Sequence, residues 1–435
     1  MNNFFDWCNS FFKGKLTSLR KSFLILFIFF AFSPLATSTI LGFQIASQII
    51  VMETFAIQVL VITLIFFVTS LVFFFIADLV FRLFYFLSRG HKYKLEKRVK
   101  ADKLLAKPHP YVPYVYKANH NSGVSNTPNY PLHKDKFSFS ELTTNSMGFA
   151  NGPNGDRDVC QRDSQNFFRI NCLGASTTGN YLTQNNQNYS YPLVLEKILN
   201  ETYDYEIEVN NFGQGGYNSA DILIRFLLDI IETSPDLIII YHGYNDIDSY
   251  LKPEFKTDYS HSRKNLGEDY WRFEIGDKIP DLPFHFIHFL VQKWFPISSR
   301  NSLLDFVTKG NIDLTIDPTE GLQVYKRNLE YLIEICLSKN IEIAISTFSH
   351  FMYKGSKKSS LHRKYNEIVA KENEIIRDLS ERYKITLIDN AAIMPSEEKY
   401  FVDTVHFTPE GMKLLAKNIS DGLKLILRDK NLKSD

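Results

Sequence analysis

The sequence predicts an α/β protein, a three-layer parallel sheet with helices on both faces, preceded by transmembrane helices. Three observations carry this reading. From residue 166 short apolar runs alternate with longer helix-compatible stretches, the pattern of a parallel sheet covered on both sides. Ser176, the glycines after Asn211, and Asn245 all stand just past the ends of such runs, where open α/β sheets bind ligands. Residues 22 to 87 are almost uninterrupted apolar sequence.

The regular part reads in order as follows. Phe167 to Leu173 is a strand and Tyr191 to Leu199 a helix; Tyr205 to Asn210 is a strand and Ala220 to Ile231 a helix. Asp236 to Tyr241, the most apolar run, is a buried strand. After a long insertion come a helix over Leu322 to Leu337, a strand over Ile341 to Thr347, and a helix from about Leu361 to Tyr383. The strand Ile385 to Ile388 follows. A final helix over Pro409 to Leu427 is announced by Thr408 as N-cap and Pro409 at the first helical position.

A chain of 435 residues exceeds one ordinary domain. We divide it into a membrane anchor over 1–88, a juxtamembrane segment and connector over 89–165, and a catalytic domain over 166–430 with an inserted cap at about 250–320. Within the anchor, one apolar run extends from Ser22 to about Gln48 and a second from Phe55 to Ile76 without a charge, and a span needs ~20 such residues. The competing reading of the first run is a cleaved signal peptide, since Lys13, Lys15, Arg20 and Lys21 precede it; no clean small-residue cleavage site follows. Two spans make a two-pass membrane protein. Basic residues flank both ends of the pair, and Glu53 is the only charge between, so the positive-inside rule puts the large C-terminal part in the cytoplasm.

Composition excludes some classes. With 49 basic and 48 acidic residues there is no basic excess to neutralise phosphates, so nucleic acid is not an expected partner. Cys8, Cys160, Cys172 and Cys336 are too scattered for a disulfide framework. His285 and His288 lack acidic or cysteine neighbours at ligand spacing, so no metal site is expected there. The insertion is rich in aromatics, among them Tyr259, Trp271, Phe284, Phe286 and Phe289, and reads either as a cap beside the site or as a locally packed subdomain.

The chemistry concentrates in four segments. Ser176 follows the first strand through Gly174 and Ala175. A serine hydroxyl needs an adjacent base to act as a nucleophile, and the competing role is a helix N-cap. Thr178 stands where a nucleophile elbow of the Gly-x-Ser-x-Gly type has its last glycine, so an ordinary α/β-hydrolase is disfavoured. Asp403 and His406, three apart, lie on one face of a turn, where the carboxylate fixes one imidazole nitrogen and leaves the other as a base; a surface ion pair is the alternative. The loop Asn210 to Ser219 turns a strand into a helix through Gly213, Gly215 and Gly216. No Lys-Ser or Lys-Thr pair follows the glycines, so it is not a phosphate loop, and the Gly216 amide is a candidate oxyanion donor. Asn245 in His242 to Asp246 offers a side-chain donor, or else an Asx-turn.

Taken together these segments resemble the SGNH/GDSL hydrolase superfamily of esterases and acyltransferases. Gly174-Ala175-Ser176 resembles its first block, with Ala175 where the name-giving motif has Asp, a change that removes no catalytic group. Asn211 to Gly216 resembles the second, Gly243 to Asp246 the third, and Asp403 to His406 the fifth. Asn145 to Phe149 resembles a segment preceding this domain in membrane-attached bacterial members. The resemblance implies an SGNH-hydrolase-like, flavodoxin-like fold over roughly residues 166 to 428. It implies Ser176 as nucleophile, His406 as general base and acid, and Asp403 as its orienter. The Ser176 and Gly216 amides and the Asn245 side chain would form the oxyanion hole.

The expected function is a serine-dependent esterase cleaving an O-acyl ester, an acetyl ester included, on a glycan or glycolipid. The expected partners are that acylated small molecule or carbohydrate and the lipid bilayer, with no cofactor and no metal. Two alternatives stand beside it, a polysaccharide O-acyltransferase using the same residues and a catalytically silent membrane-bound binding or scaffold protein. Resembling bacterial members often work outside the cytoplasm, which leaves the side of the membrane open against the charge rule.

Overall fold

The computed structural model describes residues 55–89, 106–121, 132–133, 138–139, 143–150, 158–159, 167–179, 182–184, 187–262, 284–294, 312–357 and 359–431. The chain divides into two compact units: Met1–Val99 with Ile275–Ser299, and Lys100–Glu274 with Arg300–Asp435.

In the first unit a 35-residue helix, Phe55–Arg89, continues well beyond the apolar run that ends at Ile76. Its stretch Val59–Leu87 is long and apolar enough to cross a membrane by length and composition. The first apolar run, over 22–48, lies outside the described residues, and so does the two-pass reading. A second helix, His285–Trp294, comes from the insertion. Its aromatic residues pack on the long helix, with Phe289 5.1 Å from Phe81 and Phe286 stacked 6.3 Å from Phe74. Asp78, buried in the long helix, accepts hydrogen bonds from the Phe286 amide at 3.0 Å and from His285 at 3.1 Å. His285 thus meets a carboxylate across the unit, 207 positions away in the sequence, and among the described residues no cluster fit to hold a metal ion occurs.

The second unit is built on a five-stranded parallel sheet of β1 (Phe167–Gly174), β2 (Glu206–Asn211), β3 (Leu237–Tyr241), β4 (Glu342–Ser346) and β5 (Thr386–Ile388). The spatial order is β5-β4-β3-β1-β2, every neighbouring pair parallel. This is the flavodoxin-like order 2-1-3-4-5. All eight residues of β1 and all five of β3 are buried, as central strands covered on both faces must be.

The connecting helices are α1 (Tyr191–Thr202), α2 (Ser219–Arg225), α3 (Thr319–Ser338), α4 (Ser360–Tyr383) and α5 (Pro409–Gly422). The step β1 to β2 runs one way along the sheet, and the steps β2 to β3, β3 to β4 and β4 to β5 run the other. Right-handed crossovers therefore send α1 to one face and α2, α3 and α4 to the opposite face. The packing agrees: α1 pairs with α5, and α3 packs against both α2 and α4. The single helix expected over 220–231 instead ends its α geometry at Arg225 and continues as a π turn (Phe226–Ile230) and a 3₁₀ turn closing at Ser234. The last helix likewise stops at Gly422 and resumes over Lys424–Asn431.

Strand β1 lies between β2 and β3, so the connections leaving β1 and β3 diverge and open a crevice at their carboxyl ends. Such a switch point is where open α/β sheets bind ligands. Ser176 follows β1 and Asn245 follows β3, so the topology aims both at the same crevice.

Candidate active site

Ser176 begins a single helical turn, Ser176–Gly179, directly after β1. The backbone amides of Thr178 and Gly179 bond to the Ala175 carbonyl, at 3.1 and 2.8 Å. The hydroxyl of Ser176 meets His406 Nε2 at 2.8 Å, so its contact is an imidazole and not the helix N–H that an N-cap would take.

The tight exit from β1 requires glycine. A Cβ on Gly174 would sit 2.1 Å from the Thr178 hydroxyl and 2.5 Å from the Tyr241 carbonyl of β3.

His406 reaches the crevice on the segment between β5 and α5. Thr408 caps α5 by accepting from the Gly411 amide at 3.1 Å, with Pro409 at the first helical position, as the sequence predicts. Phe407, buried just before the cap, packs 4.9 Å from Phe401 and 6.3 Å from Tyr241. The imidazole is thereby held over the end of β3.

The Asp403 carboxylate accepts three contacts: the amides of Val405 and His406 on Oδ1 at 2.8 and 2.7 Å, and the His406 ring Nδ1 on Oδ2 at 2.7 Å, a contact that is hydrogen bond and ion pair at once. Burial pushes the carboxyl up, but the His406 charge, its ring hydrogen bond and the two amides outweigh that and hold Asp403 below the usual carboxylate range. An ionised Asp403 is an acceptor only, so Nδ1 carries the proton and Nε2 presents its lone pair to Ser176. Burial alone lowers the histidine, yet the charge and hydrogen bond of Asp403 win and raise it above the ordinary value.

The glycine loop after β2 lies against the serine turn. The Phe212 amide donates to Cys172 at 3.0 Å and the Gln214 amide to Gly174 at 3.2 Å, extending the β1–β2 ladder past the strand ends. A Cβ on Gly215 would stand 3.8 Å from Ser176 Cβ, and Gly216 has φ +74°, a left-handed conformation that favours glycine. Asn245 donates its side-chain amide to the Tyr217 carbonyl at 2.9 Å, so the residue from the end of β3 is tied to this loop. That amide nitrogen bears a second N–H.

Two further carboxylates brace these segments. Asp246, fully buried, accepts from the Ser219 amide at 2.8 Å, the Ser219 and Tyr259 hydroxyls at 2.5 Å each, and His242 Nε2 at 2.7 Å. It locks the start of α2 to the end of β3 and to the first part of the insertion. Burial acts against its charge, but His242 and the hydroxyl donors prevail and lower its pKa.

Glu372, on α4 and fully buried, accepts from the Tyr244 amide at 3.0 Å and the Tyr250 hydroxyl at 3.3 Å. Tyr244 has φ +76°, a strained conformation for a non-glycine residue, one position before Asn245. Burial, with the neighbouring Asp246 charge, pushes the Glu372 carboxyl up to about 8. Reading along the chain gives no reason to single out Glu372, one of several glutamates on an amphipathic helix. Asp246 carries a signal only as the neighbour of Asn245.

The structure thus joins Ser176, His406 and Asp403 in one hydrogen-bonded line, with the Gly216 loop and Asn245 at its side. The sequence profile of the GDSL-like lipase/acylhydrolase family matches residues 172–414, more than half of the chain, from the end of β1 into α5. The chain belongs to that family. The family match spans the same four blocks that meet in the crevice, and the fold is the SGNH-hydrolase α/β sheet. Among solved structures, the chain is similar to a lipase/acylhydrolase from Enterococcus faecalis, at 16% identity and TM-score 0.37, covering 59% of this chain and 95% of that one. It is also similar to an acetylxylan esterase from Geobacillus stearothermophilus, at 16% identity and TM-score 0.35, covering 59% and 94%. No curated protein is similar to it by sequence.

Proposed function

We propose that this family member is a serine-dependent esterase that cleaves O-acyl esters of a carbohydrate or glycolipid through an acyl-enzyme on Ser176. The observation that carries the reading is the continuous line from Asp403 Oδ2 to His406 Nδ1 at 2.7 Å and from His406 Nε2 to Ser176 Oγ at 2.8 Å. An ion pair on the surface accounts for the first contact but not the second.

In this reading Ser176 Oγ attacks the ester carbonyl carbon while its proton passes to His406 Nε2, and Asp403 stabilises the imidazolium that forms. The carbonyl oxygen becomes an oxyanion, met by the amides of Ser176 and Gly216 and the side-chain amide of Asn245. Collapse breaks the bond to the alcohol oxygen, which takes the proton back from His406. Water, deprotonated by the same imidazole, then releases the carboxylic acid and restores the serine. Asp246 and Glu372 brace the segments around Asn245 and take no proton in these steps.

The test is a fluorophosphonate probe together with hydrolysis of p-nitrophenyl acetate and an acetylated oligosaccharide by the full chain. We expect labelling and hydrolysis in the wild type and neither in Ser176→Ala. A folded wild-type protein that takes no label and cleaves no ester refutes the reading.

A further inference from the structure

The segment read from sequence as a connector supplies a side chain to this site. Tyr114, fully buried, donates its hydroxyl to the Gly215 carbonyl at 2.5 Å. That carbonyl and the Gly216 N–H belong to one peptide unit. In a planar trans peptide the two point in opposite directions, so whatever anchors the carbonyl also aims the N–H.

We propose that Tyr114 is a positioning residue for the Gly216 amide, holding the 215–216 peptide so that its N–H points where the ester oxyanion forms. The inference rests on Gly216 being an oxyanion donor, as read above.

Three features of the geometry support it. First, the contact is in line with the chemistry: a Cβ built on Gly215 would lie 3.6 Å from the Tyr114 hydroxyl and 3.8 Å from Ser176 Cβ. The phenol and the serine therefore both border Gly215. Second, the peptide joins two glycines, whose freedom in φ lets it rotate at little steric cost. A loop of that kind needs an external anchor to present one N–H in a fixed direction.

Third, the anchor is itself rigid. The Tyr114 carbonyl accepts from the Tyr217 hydroxyl, and the two rings meet edge to face at 5.5 Å. Tyr116, two residues on, packs 5.6 Å from the Tyr114 ring. Burial raises the Tyr114 phenol well above its ordinary pKa, so it remains a neutral donor wherever the enzyme works. A donor on the carbonyl also polarises the peptide, strengthening the N–H at its other end by a modest fraction, about 10–30% per bond.

The experiment is Tyr114→Phe in the full chain, which removes one oxygen and keeps the ring. Turnover of p-nitrophenyl acetate is measured per active site titrated with fluorophosphonate, so that misfolded molecules are not counted. Inhibition by a boronic acid, which forms a tetrahedral adduct on the serine, is measured beside it. Direct loss of one oxyanion donor costs ~100-fold or more, so loss of its anchor is expected to lower kcat per titrated site about 10-fold, weaken boronate inhibition by a similar factor, and leave KM within about twofold. A role confined to packing lowers thermal stability or the titrated fraction while kcat per site and boronate inhibition stay at the wild-type values, and that result overturns the proposal. If the wild type itself neither labels nor turns over, the reading of Ser176 falls and the inference falls with it. An active wild type with an unchanged Tyr114→Phe variant refutes the inference alone.

Discussion

Ser176 and His406 stand 230 positions apart in the chain, and their side chains meet at 2.8 Å. One is delivered by the exit of a central strand. The other comes from a segment that leaves the edge strand β5 and crosses back over the carboxyl ends of the sheet toward α5. The contact spans the four strands β5, β4, β3 and β1, because β5 lies three places from β1.

Activity should be lost in acid with a midpoint above the ordinary histidine value of 6.5, since His406 must be neutral to accept the Ser176 proton and Asp403 raises its pKa. The sign follows from the charge: below the midpoint the imidazolium cannot act as base, and kcat/KM rises as pH increases through it. In Asp403→Asn burial is no longer opposed, so the midpoint should move down, and kcat should fall by roughly 10³–10⁴-fold. The pH dependence of kcat/KM for both proteins checks this; a midpoint unmoved by Asp403→Asn contradicts it.

Glu372→Gln should stabilise the protein increasingly as pH rises. The carboxyl has a folded value of about 8 against an ordinary 4.5. Below 4.5 it is protonated in both states and contributes nothing. Between the two values the unfolded chain releases a proton that the folded state keeps, so wild-type stability declines with pH, and above 8 the full penalty remains. Glutamine retains an acceptor for the Tyr244 amide and never ionises. The gain over wild type should grow by a few kcal/mol, at about 1.4 kcal/mol per unit, between acid and alkaline conditions. Urea unfolding at pH 5 and pH 9 measures it, and an equal difference at both values rules the account out.

Gly213→Ala should damage both folding and activity. A Cβ there would lie 2.2 Å from the Gly179 nitrogen and 2.7 Å from Gly179 Cα, all backbone that cannot swing away. Separating the two loops is expected to cost roughly 1–3 kcal/mol or more and to shift the serine turn. Thermal unfolding and turnover read the two effects; wild-type behaviour in both would mean that the loops do not touch so closely.

How much of this was legible in the chain depends on the range of the physics involved. The strands β1 and β3 announce themselves because a central strand must be apolar along its whole length, and α5 does so through Thr408 and Pro409 at its start. Asp403 and His406 are three apart, so their pairing is a local matter. The 55–89 helix shows as an apolar run but not to its full length, because Asp78, Arg82 and Arg89 interrupt the pattern while Asp78 finds its partners on a distant segment. The turn of α2 into a π segment at Phe226 carried no signal at all.

The sequence by itself determined the α/β alternation, the long apolar helix and the four segments brought together in the crevice, since periodicity, capping and turn chemistry act over a few residues. Only the tertiary structure decided that Tyr114 touches Gly215, that Glu372 holds the strained Tyr244, and that Asp246 joins α2 to the end of β3. Those contacts are hydrogen bonds between side chains and backbone groups tens to hundreds of positions apart, and one polar residue on a helix or connector looks like another until the sheet order brings its partner alongside.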